Sequence, residues 1–413
     1  MSNKKLVVIG GGAAGFFCAI NAAAFDRNLD IVLLEKHNKL LSKVRISGGG
    51  RCNVTHACFS ISDMIKNYPR GGNFLKKAFY AFFTTDTIKF FESRGVALKE
   101  ESDGRMFPVT NSSESIISCL MKEVNRFGIP ILMNRDVKEI TIQNQKFKIR
   151  IEDAEPIDAD YVCIACGGFS KSSQFEWIQK LSHSIEEPVP SLFTFNIPDS
   201  PVKELMGISV EDATIKIIEP KYEQRGPLLI THWGLSGPAI LKLSSFAARD
   251  LYATGYSFRI SVNWVSAYNE QTVREKLVVS RNAMAGQKMI NRNPFFLPQR
   301  LWKYLLSRSG INEEMRWADL PSKMQNLLAN NLCRHEFTVK GKTTFKEEFV
   351  TAGGIQLSEI DAKTMESKLV PGLFFAGEIM NVDGITGGFN FQHAWTTGWI
   401  AGKSIAIKNM QHT

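Results

Sequence analysis

The sequence predicts an α/β protein: a doubly wound nucleotide-binding domain interrupted by an inserted β-rich plus helical domain. Three observations carry this. A glycine fingerprint separates an apolar run from an alanine-rich stretch near the start, "KLVVIGGGAAGFF". The run "YVCIACGGFS" and the ending "GLFFAGEIMNVDGITGGFNF" return to the same strand-then-glycine pattern much later. Between them, residues from about 190 to 340 follow other periodicities, first strand-like and then helical.

The first element is the apolar run Leu6 to Ile9, which ends in Gly10-x-Gly12-x-x-Gly15, with Ala13 and Ala14 opening a helical stretch. In a βαβ unit Gly10 makes the tight turn, Gly12 lets a pyrophosphate approach the backbone, and Gly15 packs helix on strand. The helix N-terminus then faces the phosphates. A second apolar strand, "DIVLLEK", places Glu35 twenty residues beyond Gly15, with Lys36 beside it. A carboxylate closing the second strand accepts hydrogen bonds from an adenosine ribose. A lone GxGxxG is weak evidence, but strand, fingerprint, helix, strand and acid in register specify a Rossmann-like dinucleotide site.

Next comes "ISGGGRCNVTH", residues 46 to 56. No Lys-Ser/Thr follows its glycines at Walker spacing, which excludes a P-loop. A ligand-free glycine turn and a redox-active pair, Cys52 with Cys58, stay open here. That pair has five residues between its cysteines, a separation that turns two side chains well apart on a helix. No second GxGxxG serves a nicotinamide cofactor. Cys163 and Cys166 spell CxxC, but on a strand they point to opposite faces and read as core thiols.

A helix follows from Ser113 to Phe127, with Asn111 or Ser112 as cap. The strand in "YVCIACGGFS" runs into Cys166-Gly167-Gly168. The region from about 190 to 265 is strand-rich with Gly/Pro turns, and 269 to 336 is mostly helical. We therefore assign 1–190 and 340–413 to one discontinuous cofactor domain, 191–265 to a β-rich insert and 266–339 to a helical insert. Active sites form at domain interfaces, so the insert is expected to roof the cofactor. His232, in the polar "THWGLSGP", and His393, which opens the last helix, are the catalytic candidates. No His/Cys/Asp cluster has metal-ligand spacing, and no Gly-x-Ser-x-Gly elbow occurs, so neither a metal nor a serine nucleophile is expected.

Bulk properties narrow the class further. The 413 residues are 44% hydrophobic and 22% charged, an ordinary globular composition with room for a sizeable core. Seven scattered cysteines read as reduced thiols of a cytoplasmic protein. The N-terminus mimics a signal peptide, but the fingerprint inside it explains it better, and no other stretch suits a membrane. The net charge is +9, and from Arg274 to Gly310 eight basic residues face one acid, Glu275. That stretch is either a solvated helical face or a docking surface for an anionic partner such as nucleic acid.

The C-terminal stretch has a short strand ending in Gly377-Glu378, a turn holding Asp383, Gly384, Gly387 and Gly388, and a helix beginning Phe389, Asn390, Phe391. It resembles the second FAD motif of flavoproteins with two dinucleotide-binding domains. The resemblance implies that the acid meets the ribityl chain and the helix N-terminus faces the flavin pyrimidine edge, which is anionic when reduced. Together with "VVIGGGAAG", "SGGGRCNVT", "GRMFPVT", "THWGLSGPAIL", "FLPQRL" and "VTAGGI", spread from residue 7 to 398, the chain resembles the aminoacetone-oxidase-like flavoproteins. These are NAD(P)/FAD-dependent oxidoreductases with relatives in a bile-acid pathway. The chain departs from them in lacking a Gly-Ser-Thr-Gly turn after "ACGG". It also carries Asn381 and His393 where an aspartate and a tryptophan are usual.

The resemblance implies FAD as cofactor and NAD(P)H as a transient second ligand. Beyond the first fingerprint, Glu35 and Lys36, the implied contacts are Gly49, Gly50, Arg51, Cys52, Asn53, Val137, Cys166, Gly167, Gly377, Glu378, Asp383, Gly388, Phe389, Asn390 and Phe391. The implied activity is hydride transfer at flavin N5 to or from a small organic substrate, as an amine oxidase or an NAD(P)H-dependent reductase. Two alternatives stand beside it: an RNA-associated flavoprotein using the 274–310 stretch, and a flavin disulfide reductase using Cys52 and Cys58. The sequence carries no signal of oligomeric state.

Overall fold

In the computed structural model, which describes residues 3–343 and 350–411, the first apolar run is strand β1 (Lys5–Ile9), buried from Leu6 onward. It is followed by α1 (Ala13–Phe25), β2 (Asp30–Leu34), α2 (Ser42–Gly50), β3 (Ile131–Leu132), β4 (Tyr161–Ile164), β5 (Leu373–Phe375) and α3 (Phe389–Met410). The five strands form one sheet in the order β5-β4-β1-β2-β3, parallel throughout. From the other edge this reads 3-2-1-4-5, a doubly wound order whose direction reverses between β1 and β4. The central strands are uninterrupted apolar runs because helices cover both faces of such a sheet.

α1 has almost no polar face and is buried from Ala14 to Ala23. α3 packs closely along it, as two small residues allow: a Cβ at Gly398 would lie 2.5 Å from Ala14 O, and one at Gly402 2.5 Å from Cys18 O. Phe17 meets Trp395 with ring centroids 4.8 Å apart, and Trp395 Nε1 donates to Val54 O at 2.9 Å. Burying one such ring contributes roughly 1.5–3 kcal/mol. The expected helix near 113–127 spans Glu114–Phe127 and ends in left-handed Gly128, an ordinary glycine stop.

The chain divides into two compact units, Met1–Ser191 with Lys346–Thr413 and Leu192–Phe345. The second is built on a seven-stranded sheet whose longest members, Ser209–Ile217 and Tyr222–Ile230, pair antiparallel. The expectation of separate β-rich and helical inserts gives way here to one body. His335–Lys340 returns after the helices and pairs with Ser257–Asn263. Helices Glu270–Ala283, Gln299–Arg308 and Ser322–Cys333 are thus bracketed by strands of one sheet, and Trp264, Trp302, Trp317 and Leu332 are buried in a shared core.

Candidate functional site

The carboxyl ends of β1 and β4 meet where the strand order reverses, the place where open α/β sheets bind ligands. Gly10 ends β1 with φ +116°, and a Cβ there would lie 2.5 Å from Ala165 O and 2.6 Å from Cys166 Cα, so no other residue fits. Gly15 is equally constrained, its missing Cβ position only 1.9 Å from Gly10 O. Gly12 is the opposite case, with nothing within 4 Å. It starts α1 without a side-chain cap, so the N–H groups of the first turn, from half-buried Ala13 and buried Ala14, have no side-chain partner of their own. Gly167 on the facing wall is open too, and Gly377 brings the end of β5 against Ala14.

Glu35 follows β2 and is held beside the fingerprint. Its Oε2 accepts from Gly11 N at 2.7 Å and its Oε1 from His37 N at 2.8 Å. Each oxygen keeps a lone pair for a further donor. Arg135 N donates to Glu35 O at 2.8 Å, which draws Val137 alongside, and Lys36 pairs with Asp136 at 3.1 Å. A cavity of about 280 Å³ opens among Lys36, His37, Asn134 and Arg135.

In the glycine loop, α2 breaks after Ile46, and Gly48, Gly49 and Gly50 take φ of +59°, +69° and +83° in succession. Three left-handed residues in a row are affordable only to glycine. Gly48 packs on Phe107, while Gly49 and Gly50 face free space. Arg51 holds the loop from within the protein: its guanidinium lies 4.0 Å over Phe107, pairs with Glu101 at 2.6 Å and donates to Gly48 O at 3.2 Å. Cys52 is buried and its thiol is pushed up to about 12 by desolvation; burial raises Cys58 as well. Both are unbridged, and neither is a thiolate at neutral pH, so nothing here supports a disulfide reductase. Asn53, with its amide oriented to satisfy both neighbours, donates to Thr55 O at 3.0 Å and accepts from Gly388 N at 2.9 Å.

That bond ties the loop to the start of α3. Gly388 begins the helix at φ +94°, with Thr55 backbone 2.5 Å from its missing Cβ position. Phe389 stacks on His56 at 4.6 Å, and its carbonyl accepts from Tyr68 Oη at 2.7 Å. Asn390 closes the preceding turn by bonding both N and O of Gly384, and Phe391 stacks along Trp395. Glu378 accepts from Thr351 N at 3.0 Å and pairs with Lys43. Asp383, expected to touch cofactor, is 0% exposed and taken up inside the unit by Arg70, which binds it through two nitrogens, and by Ser191 Oγ at 3.0 Å. Burial raises its carboxyl, while Arg70 and Ser191 pull it back.

The two histidine candidates lie in different units. His232 is exposed, edge-on to Trp233 at 4.2 Å. His393 is 1% exposed, and neither ring nitrogen has a hydrogen-bond partner among the described residues. Burial pulls its imidazole down to about 4, and the opposing pull of Gly377 backbone and Glu378 is smaller. A group that delivers protons must reach the reacting atoms, and this ring has no exposed edge. Lys43, Thr351, His56 and Arg70 were not anticipated. Thr351 sits in "VTAGGI" and His56 closes "ISGGGRCNVTH"; Lys43 and Arg70 carry no local pattern.

Ser367, His183 and Glu359 also form a hydrogen-bonded line, at 2.9 and 3.0 Å, with the spacing of an acyl-transfer triad. Ser367 Oγ, however, already accepts from Leu369 N and Val370 N, and the residue is 6% exposed. It is a clamp, not a nucleophile. Among the described residues no group of His, Cys, Asp and Glu is arranged to hold a metal ion, and no helix is long and apolar enough to cross a membrane.

With this geometry in view, the comparisons with known proteins are consistent. A family model described as "HI0933-like protein Rossmann domain" matches residues 4–404. The 3-dehydro-bile acid delta(4,6)-reductase of Clostridium scindens is 27% identical, covering 98% of this chain and 99% of its own. A ribosomal RNA dihydrouridine synthase of Escherichia coli is 27% identical, covering 98% of each. Among solved structures, the 3-ketosteroid-delta4-(5alpha)-dehydrogenase of Rhodococcus jostii RHA1 superposes with a TM-score of 0.51 over 98% of both chains at 12% identity. The open conformation of a flavocytochrome c3 fumarate reductase gives 0.52 over 98% of this chain and 78% of that one, at 17% identity. Both likenesses concern the fold alone.

Proposed function

The chain belongs to the HI0933-like Rossmann-domain family, a family of FAD-dependent oxidoreductases, and on that premise we propose that it is a reductase. It would add hydrogen across a carbon–carbon double bond conjugated to a carbonyl. The observation that carries this is that two relatives matched over 98% of the chain have names describing one act, hydrogen added to an unsaturated ring. When bound, FAD supplies the hydride at N5. The uncapped N–H groups at Gly12 suit its pyrophosphate, the spare lone pairs of Glu35 its ribose, and the free faces of Gly49 and Gly50 its close approach. The positive end of α3, with no acid in its first turn, suits the negative charge of a reduced cofactor. NAD(P)H would donate electrons transiently. The unbridged cysteines fit a reducing, cytoplasmic setting.

A second reading, in which the substrate ring is a uridine within RNA, is favoured by charge. Residues 192–345 hold twenty Lys and Arg against thirteen Asp and Glu, seven of the chain's nine net positive charges, and the Escherichia coli relative is named for ribosomal RNA.

The test is anaerobic mixing of the purified protein with NADH, then NADPH, while the flavin absorption is followed. Bleaching supports the reductase and directs the search to unsaturated acceptors. An unchanged spectrum would make the enzyme an oxidase or dehydrogenase, and amine donors would be tried. A colourless protein that cannot be reconstituted with FAD would refute both.

A further inference from the structure

One loop of the second unit departs from what solubility and backbone preference favour. It joins the turn Met289–Asn291 to helix Gln299–Arg308, and Phe296 at its tip is 94% exposed. Phe296 also has φ +56°, a left-handed conformation that bulky side chains rarely take. The loop is held, not loose. Asn293 Nδ2 donates to Leu297 O at 2.7 Å, Asn293 Oδ1 accepts from Phe295 N at 3.0 Å, and Gln299 Nε2 donates to Ile290 O at 2.6 Å. Phe295 turns inward, edge-on to Tyr268 at 5.5 Å, while Phe296 is presented outward.

Beside the ring lies a cavity of about 430 Å³, walled by Trp264, Tyr268, Phe295 and the backbone from Ser209 to Asp212. Its charged groups are carboxylates, Glu211 and Asp212, the latter gripped by Arg225 at 2.6 and 2.7 Å. The exposed cations Arg292, Arg300 and Lys303 come before and after Phe296 in the chain. Arg292 reaches Gln287, and Arg300 donates to Glu204 O at 2.6 Å. Exposed aromatic faces working together with nearby cations hold unpaired bases and their phosphates. Here the exposed ring and three exposed cations lie within eleven residues of one another in the chain, from Arg292 to Lys303. With Asp212 held by Arg225, Glu211 is the cavity carboxylate left to accept the N–H groups of a base edge.

We propose that the Phe296 loop is a docking site for single-stranded RNA, with an unpaired base stacked on Phe296 and phosphates along Arg292, Arg300 and Lys303. This rests on the RNA reading above and names the surface that serves it. The test is fluorescence anisotropy of a short labelled oligouridine with the full chain across about 50 to 200 mM salt. Wild-type affinity is expected to fall steeply with salt. Phe296→Ala should weaken binding about tenfold or more at an unchanged salt slope, and Lys303→Ala should lower the slope by about one, with circular dichroism showing both variants folded. Unchanged affinity in Phe296→Ala would overturn the surface and leave the RNA reading standing. No binding by the wild type at the lowest salt would overturn both. A duplex competing as strongly as the single strand would overturn the stacking.

Discussion

Replacing His393 by phenylalanine should flatten the acid side of the stability curve by about 2 kcal/mol between pH 7 and pH 5. The ring is 1% exposed and burial lowers it from 6.5 to about 4. Because the folded value lies below the unfolded one, the unfolded chain binds more protons throughout this window. The contribution is therefore complete above about pH 6.5 and is lost as pH falls toward 4, at about 1.4 kcal/mol per pH unit. His183 and His335 are lowered by burial too and act with the same sign, but both remain in the variant and cancel in the difference. Urea unfolding of the two proteins at both pH values, followed by circular dichroism with FAD in fixed excess, measures it. Equal acid sensitivity would mean that the ring is solvated or already charged when folded, and the argument from burial would fail.

Three further outcomes are expected. Gly12→Val should leave the melting temperature nearly unchanged, since nothing lies within 4 Å of the new Cβ, while FAD affinity measured by flavin fluorescence falls at least about tenfold from crowding the pyrophosphate. Gly388→Ala should cost about 2–4 kcal/mol in thermal or urea unfolding, because a Cβ meets Thr55 backbone at 2.5 Å in a left-handed residue. Asp383→Asn removes the carboxylate charge that the largely buried Arg70 binds through two nitrogens and should cost about 3–5 kcal/mol in urea unfolding, most of it recovered when Arg70→Met is added.

The legible parts of this protein are those whose cause is local. Gly10, Gly12 and Gly15 differ in what surrounds them, yet their spacing alone identifies the turn, the open cradle and the tight packing. The Gly48–Gly50 run could be recognised as special, but whether Arg51 faces outward was decided by Glu101 and Phe107, which no spacing rule links to it. Asp383 reads as a cofactor contact by its place in the motif; its partner Arg70 lies 313 residues away, and such pairings leave no periodic trace. The same holds for the second unit, where a helical pattern from 269 to 336 hides the fact that His335–Lys340 closes a sheet begun much earlier.

The seam between α1 and α3 has a consequence for how the protein is made. Backbone from the first fifteen residues and from the last forty is needed on both sides of one cleft, and α1 has no other partner as extensive as α3. At about 5–20 residues per second, the nascent chain carries an apolar α1 without its most extensive partner for roughly 20–80 seconds before Gly398 and Gly402 are synthesised. During that interval the cell must shield a helix buried from Ala14 to Ala23 in the finished molecule, so cofactor loading becomes a late, essentially post-translational event.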